Sequence, residues 1–148
     1  MDGVTQRSPW LDIPLADYEG HMSLPEIGQA QMIADFFASL LKERSPASVA
    51  VMGCSGGNGF DRIDPSVTTR VVGVDLNPAY VRRARKRFSG RFDRLELYTC
   101  DIQAMDALFE PVDMVYAALV FEYLDPPASA VVRMAAHLRP GGVLATIL

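Results

Sequence analysis

The chain is poor in several residue types that mark large functional classes. It has two cysteines and two histidines in 148 residues. Cys54 and Cys100 lie far apart without any paired ligand spacing, so neither a disulfide framework nor a metal centre is expected, and a reducing cytoplasm suits them. Positive charge is also scarce, with 14 Lys and Arg against 18 Asp and Glu, a net charge of -4 and a pI of about 5.1. No global positive field draws such a chain to nucleic acid or to anionic lipid, and neither is an expected partner. No apolar run approaches the ~18 residues of a membrane span, and Met1 to Arg7 has no apolar core behind a basic start. A soluble, cytoplasmic protein is the expectation. With 49% hydrophobic residues there is enough apolar material for one core of ordinary size.

The most informative stretch is Val49-Ala50-Val51-Met52-Gly53-Cys54-Ser55-Gly56-Gly57-Asn58-Gly59-Phe60. Its uncharged apolar start reads as a strand buried on both faces. The glycine-rich turn that follows leaves room for backbone amides to approach a ligand before a short helix from Phe60 to Ile63. A P-loop needs Lys followed by Ser or Thr at the end of the glycine run, where this chain has Phe60-Asp61. The dinucleotide fingerprint could start only at Gly57-x-Gly59, and its third glycine falls on Arg62. Triphosphate binding and classical NAD binding both fit poorly.

Taken in order, residues 1–22 read as an irregular arm, with Pro9, Pro14, Trp10 and Tyr18 and no clear period. Residues 23–148 read as one domain. Ser23-Leu24-Pro25-Glu26 has the form of a capping box, and Ile27, Ala30, Ile33, Phe37 and Leu41 give a helical stripe behind it. After the glycine turn, Thr69 to Asp75 reads as a second strand tipped by a carboxylate, about 20 residues on, where it can accept ribose hydroxyls. Asn77-Pro78 caps a helix with Tyr80, Val81, Ala84 and Phe88 inward. Its outer face carries Arg82, Arg83, Arg85, Lys86 and Arg87, read as a solvated face.

Arg94 to Asp101 alternates as a third strand with an acid at its tip, and Met105, Leu108 and Phe109 allow a short helix. Val112 to Val120 reads as a fourth strand. A helix with the stripe Ala130, Val131, Met134 and Leu138 follows, then a fifth strand from Val143. Strands alternating with helices predict an α/β fold, a Rossmann-like doubly wound parallel sheet in the order 3-2-1-4-5. The ligand crevice of such a sheet lies between strands 1 and 4, beyond their carboxyl ends.

Gly53-Cys54-x-x-Gly57-x-Gly59, together with the acids after strands 2 and 3 and the Arg139-Pro140-Gly141-Gly142 stop, resembles the class I S-adenosylmethionine (SAM)-dependent methyltransferase family over residues 18–148. The resemblance implies that Gly53, Cys54, Ser55, Gly57 and Gly59 hold the methionine part of SAM. It implies that Asp75 takes the ribose, that Leu76, Asn77, Asp101 and Ile102 surround the adenine, and that Ala117, Ala118 and Leu119 border the sulfonium. Tyr18 is a candidate shield of the methionine moiety. S-adenosylhomocysteine would be the product.

Two features depart from the family pattern. Val51 stands where the family carries an acid for the ligand's amino group, and the family's sixth and seventh strands are absent from this sequence. The fifth strand is then an apolar edge, and a homodimer across it is expected.

His21 and Glu122 are the candidate bases for a small-molecule methyl acceptor, with a surface histidine as the plainer reading of the first. His137 is accounted for by a helix C-terminus, and Cys54 is given no nucleophilic role. The leading expectation is methyl transfer from SAM to a small molecule. A SAM-binding module without turnover is the second, and an NAD-dependent oxidoreductase the third.

Overall fold

The computed structural model describes residues 7–24 and 28–148. The sheet is built outward from β1 (Ser48–Met52), every residue of which is buried. An unbroken apolar strand belongs in a sheet interior with parallel neighbours, and β1 pairs in parallel with both β2 (Arg70–Asp75) and β4 (Val112–Ala118). β3 (Arg94–Thr99) lies outside β2, and β5 (Leu138–Ile147) outside β4. The order is β3-β2-β1-β4-β5, all parallel, as the alternation of elements predicts. No strand lies beyond β5 among the described residues.

Successive side chains of a strand face opposite ways, and β1 shows it directly. Ala50 and Met52 join one apolar layer with Val72, Val74, Val115, Ala130 and Met134, while Val49 and Val51 join the other with Phe37, Leu41, Phe60 and Tyr116. Helix α2 (Gln29–Arg44) covers the second layer through Phe37 and Leu41, and α3 (Pro78–Phe88) packs on β2 and β3. Helix α4 (Pro127–Ala135) closes the first layer with Ala130 and Met134. None of these helices is long and apolar enough to cross a membrane.

Four local expectations are corrected. The arm is not wholly irregular: a 3-10 turn at Pro9–Leu11 leads to helix α1 (Leu15–Met22), which presents Leu15, Tyr18 and Met22 on one side. Its stripe is too short to stand out in the sequence. Ser23 does not open α2 but closes α1, its amide donating to the Glu19 carbonyl. The rest of the expected capping box, residues 25–27, lies outside the described residues, and α2 starts after Gly28, which holds φ at 62°.

No α-helix forms at Met105 to Phe109. A 3-10 turn occupies Ile102–Ala104, and Met105 and Phe109 reach the core from an irregular segment. Finally, α4 ends at Ala135, and Leu138 already belongs to β5, opposite Val112. Between that pair and Met114↔Val143, Arg139 to Gly142 bulge out against Asp113 alone. A Cβ at Gly142 would stand 2.9 Å from the Arg139 carbonyl oxygen, so only glycine fits the bulge.

The β2–β3 edge is fastened by a buried ion pair. Arg70 Nε donates to Glu96 Oε2 at 2.6 Å, and its Nη2 donates to the Glu110 carbonyl at 2.9 Å. Burial alone raises the Glu96 carboxyl, but hydrogen bonds from Arg70 and Tyr98 and the charges of Arg70 and Arg94 outweigh it and hold the group below its ordinary value. Its stabilisation is therefore present above the unfolded-state value of about 4.3 and is lost as pH falls through the lower folded value. Arg70→Met leaves Glu96 only Arg94, at 3.2 Å, and Tyr98, and urea denaturation at neutral pH should show a loss of about 2 kcal/mol. The variant should also lose less stability than the wild type between pH 7 and acid.

Candidate functional site

The chain leaves β1 at Met52 and turns back on itself in a short, heavily bonded segment. The amides of Gly53 and Cys54 both donate to the Val74 carbonyl, at 2.8 and 3.1 Å, which ties the turn to the end of β2. Gly57 and Gly59 hold φ at 96° and 79°. They are also pressed by the protein itself: a Cβ at Gly59 would stand 2.7 Å from Phe37 Cδ1, and one at Gly57 would overlap the Phe88 ring. Packing under the turn, as well as access above it, thus demands glycine here. Ser55 takes φ 49° without being glycine, a strained conformation held in place by Asp75.

Asp75 is the electrostatic centre of the site. Oδ2 accepts from the Ser55 amide at 2.8 Å and Oδ1 from the Asn77 amide at 2.9 Å. The residue is 8% exposed, and burial raises its carboxyl despite the amide bonds from Asn77, Ser55 and Leu76 that stabilise the charge. A carboxylate has about four acceptor positions, so at least one remains for a hydroxyl donor. Asn77 is fully engaged beside it: Oδ1 caps α3 at the Ala79 amide, and Nδ2 donates to the Trp10 carbonyl at 2.8 Å. The polar chemistry here, a carboxylate with spare acceptor capacity at the tip of β2, fits a ribose.

Across the switch point, β4 ends in Ala117 and Ala118, and Leu119 takes φ 54° while its amide donates to the Ile147 carbonyl. A cavity of about 220 Å³ opens between this segment and the glycine turn, bordered by Gly53, Asn58, Gly59, Ala118 and Leu119 and walled by Tyr18 of α1 and Phe37 of α2. A roomier cleft of about 500 Å³ lies at the amino ends of the strands, lined by Arg94, Glu96, Tyr98 and His137. It contains none of the expected ligand residues. The smaller cavity lies where an open α/β sheet binds its ligands.

The arm forms the roof. Tyr80 Oη donates to the Ile13 carbonyl at 2.6 Å, Asn58 Nδ2 to Tyr18 Oη at 3.1 Å, and Arg87 clamps both oxygens of Glu19 at 2.7 and 2.9 Å. The Trp10 ring meets Tyr18 and Tyr123 edge-on, with centroids 5.5 and 5.2 Å apart. Arm contacts thus fall on the glycine turn, on α3 and on the turn after β4.

The structure brings together Tyr18, Gly53, Gly59, Ala118 and Leu119 at the cavity, with Ser55, Asp75 and Asn77 bonded into the adjoining cluster. Leu76 is half-buried and Ala117 is buried in the first core layer. Asp101 is exposed and caps the 3-10 turn by accepting from the Gln103 amide at 2.9 Å, while Ile102 is buried in the same layer. Cys54 is fully buried, and burial and the Asp75 charge push its thiol far up, which leaves no thiolate for nucleophilic work. His21 and Glu122 are exposed, in the last turn of α1 and in the 3-10 turn Phe121–Tyr123, and neither lines the cavity.

His137 is buried past the end of α4. Its Nε2 accepts from the Leu108 amide, so Nδ1 carries the proton given to the Arg133 carbonyl. Sequence reasoning missed Asn58, Asp61 and Met22 as cavity residues. The spacing of Met22 behind Tyr18 and the placement of Asp61 just past the glycine turn were the available signals.

These features define a class of protein before any comparison: a 3-2-1-4-5 parallel sheet, a glycine turn after β1 and a buried acid at the tip of β2. A family model described as a methyltransferase domain matches residues 49–142, and the chain belongs to the class I SAM-dependent methyltransferase family. It is 35% identical over 100 residues to the trans-aconitate 2-methyltransferase of Azoarcus sp., covering 67% of this chain and 38% of that protein. It is 29% identical to the tRNA 5-carboxymethoxyuridine methyltransferase of Escherichia coli, covering 71% of this chain and 42% of the relative.

Among solved structures, the N-methyltransferase NodS of Bradyrhizobium japonicum, in complex with S-adenosylhomocysteine, superposes with a TM-score of 0.69 at 20% identity. That match covers 88% of this chain and 70% of NodS. The SAM-bound amino pentose methyltransferase CalS10 of Micromonospora echinaspora does so with a TM-score of 0.63 at 28% identity, covering 87% of this chain and 52% of CalS10. The chain spans about two fifths of the length of the curated relatives it matches.

The roof is held to the body by few anchors, and Arg87–Glu19 is the only ion pair among them in the described residues. Arg87→Gln should speed amide hydrogen exchange across α1 at least several-fold while lowering global stability by about 1 kcal/mol or less. Unchanged exchange in α1 would show that the aromatic contacts alone hold the arm.

Proposed function

We propose that this chain binds SAM at the carboxyl edge of β1, β2 and β4 and directs its methyl group to a small-molecule acceptor. The observation that carries the reading is the Asp75 carboxylate, which fixes the glycine turn through Ser55 and keeps acceptor positions for a ribose. Bound there, SAM supplies a methyl carbon already made electrophilic by the sulfonium. The work left to the residues is to bind, align and exclude water. Asp75 accepts the ribose hydroxyls, and Leu76, Asn77, Asp101 and Ile102 surround the adenine. Gly53, Ser55, Gly57 and Gly59 present main chain to the methionine moiety, Ala117 to Leu119 border the sulfonium, and Tyr18 with the arm shields the cavity.

His21 and Glu122 remain the candidate bases for an acceptor approaching from the arm side, on the strength of position alone. The net charge of -4 and the small cavity support a small acceptor rather than a polynucleotide. A cytoplasmic location and pairing of two copies across the outer edge of β5 complete the proposal, and a monomeric sedimentation profile at micromolar concentration would remove the pairing.

A second reading, cofactor binding without turnover, is favoured by Val51, a 3% exposed core residue at a place where the family carries an acid.

Calorimetric titration with SAM, S-adenosylhomocysteine and NAD tests the proposal. Either adenosyl ligand should bind, and Asp75→Ala should weaken it about 10- to 100-fold, the range for losing hydrogen bonds to a charged group. Because burial raises the Asp75 carboxyl, the affinity should fall on acidification at a higher pH than an ordinary aspartate, with a value of about 3.9, would produce. Binding of NAD alone would overturn the proposal. Adenosyl binding with no methyl transfer to any of a panel of small acceptors would select the second reading.

A further inference from the structure

A ligand with an ammonium group needs a counter-charge where it leaves water, because an unpaired cation is costly to desolvate. At the family's usual place this chain has Val51, packed in the apolar layer with Phe37 and Tyr116, which offers a cation nothing. The cavity nevertheless has a charge of its own. Among the described residues, two ionisable side chains other than tyrosines reach it, Glu19 and Asp61, and both are acids; no described Lys, Arg or His lines it. Such a lining favours a cationic group and repels an anionic one.

The two acids are not equivalent. Both oxygens of Glu19 are engaged by Arg87, at 2.7 and 2.9 Å. Asp61 stands in the 3-10 turn Phe60–Arg62, directly after the glycine turn. Its nearest cation is Arg62 Nε, 4.0 Å away, and that guanidinium is drawn off by Asp35 of α2, to which Nη1 donates at 3.0 Å. The Asp61 side chain is 72% exposed and accepts no hydrogen bond among the described residues. It is therefore the uncommitted carboxylate of the cavity, bordering the same space as Gly53, Asn58 and Gly59.

We infer that Asp61 is the counter-charge for the amino group of the cofactor's methionine moiety, taking over from a turn the role that Val51 cannot fill from the strand. The inference rests on the proposal that SAM binds this cavity. Asp61 acts in binding and alignment, and no proton or covalent bond changes hands.

The test is calorimetric titration of the full chain and its Asp61→Asn variant with S-adenosylhomocysteine and with methylthioadenosine, which keeps the nucleoside and sulfur but lacks the amino acid. Asp61→Asn should weaken S-adenosylhomocysteine about 10- to 100-fold and leave methylthioadenosine within about twofold, as expected for one lost charged contact. The deaminated analogue of S-adenosylhomocysteine, left with only its carboxylate, should bind the variant at least as tightly as the wild type. Equal weakening of S-adenosylhomocysteine and methylthioadenosine would assign Asp61 a structural role and overturn the inference. Undiminished binding of S-adenosylhomocysteine to the variant would also overturn it while leaving the SAM reading intact. Failure of the wild-type chain to bind either adenosyl ligand would instead remove the SAM reading, and this inference with it.

Discussion

The site depends on one buried carboxylate. Asp75 bonds the Ser55 amide with one oxygen and the Asn77 amide with the other, so a single side chain fixes the turn after β1 and the start of α3. Neither segment is held by strand pairing at that point, and Ser55 is in a conformation it would not keep alone. An anion buried to 8% exposure is tolerated because amides solvate it in place of water. Those same amides fix the orientation of the carboxylate and of its remaining acceptor capacity.

The roof follows from that arrangement. Asn77 is placed by the Asp75 bond, caps α3 with its carbonyl oxygen, and has an amide left to hold Trp10. Asn58, carried by the glycine turn, reaches Tyr18, and Arg87 on α3 reaches Glu19. Contacts that close the arm are thus made by residues adjoining the ligand cluster. The arm and the turn therefore share contacts, and few apolar residues of the arm are buried, Met22 alone being so among those described.

How much of this was legible in the sequence depends on the range over which each signal acts. The strands of the sheet, their order and the cap at Asn77 were legible because burial on both faces leaves apolar runs and because capping is local. The ends of α2 and α4 were not. Ser23 satisfies a capping pattern, yet α1 had already claimed its amide, and Leu138 continues the helical period of α4 while pairing with Val112. At Ser23 the preceding helix decides between two local solutions, and at Leu138 a tertiary partner does. Asp75 was legible as the acid at the tip of β2 but not as the brace of the glycine turn, since nothing in residues 53–59 announces an amide that needs a distant acceptor. His137 looked like a charge at a helix end and is a neutral bridge within the core.

Val51 and Asp61 belong to the same structural choice. Gly59 lets the Phe37 ring approach the turn closely, and Phe37 stacks on Tyr116 with centroids 4.4 Å apart, so α2 seals the face of β1 on which Val51 lies. A carboxylate at residue 51 would border the cavity but stand against Phe37 and Tyr116 in that apolar layer, where its burial is costly. Valine is what the seal requires. Past Gly59 the chain returns to the surface, and a carboxylate at Asp61 keeps its hydration until a cation displaces it, which costs the empty fold nothing. Moving the charge from strand to turn thus reconciles a closed aromatic wall with a cavity that still favours a cation.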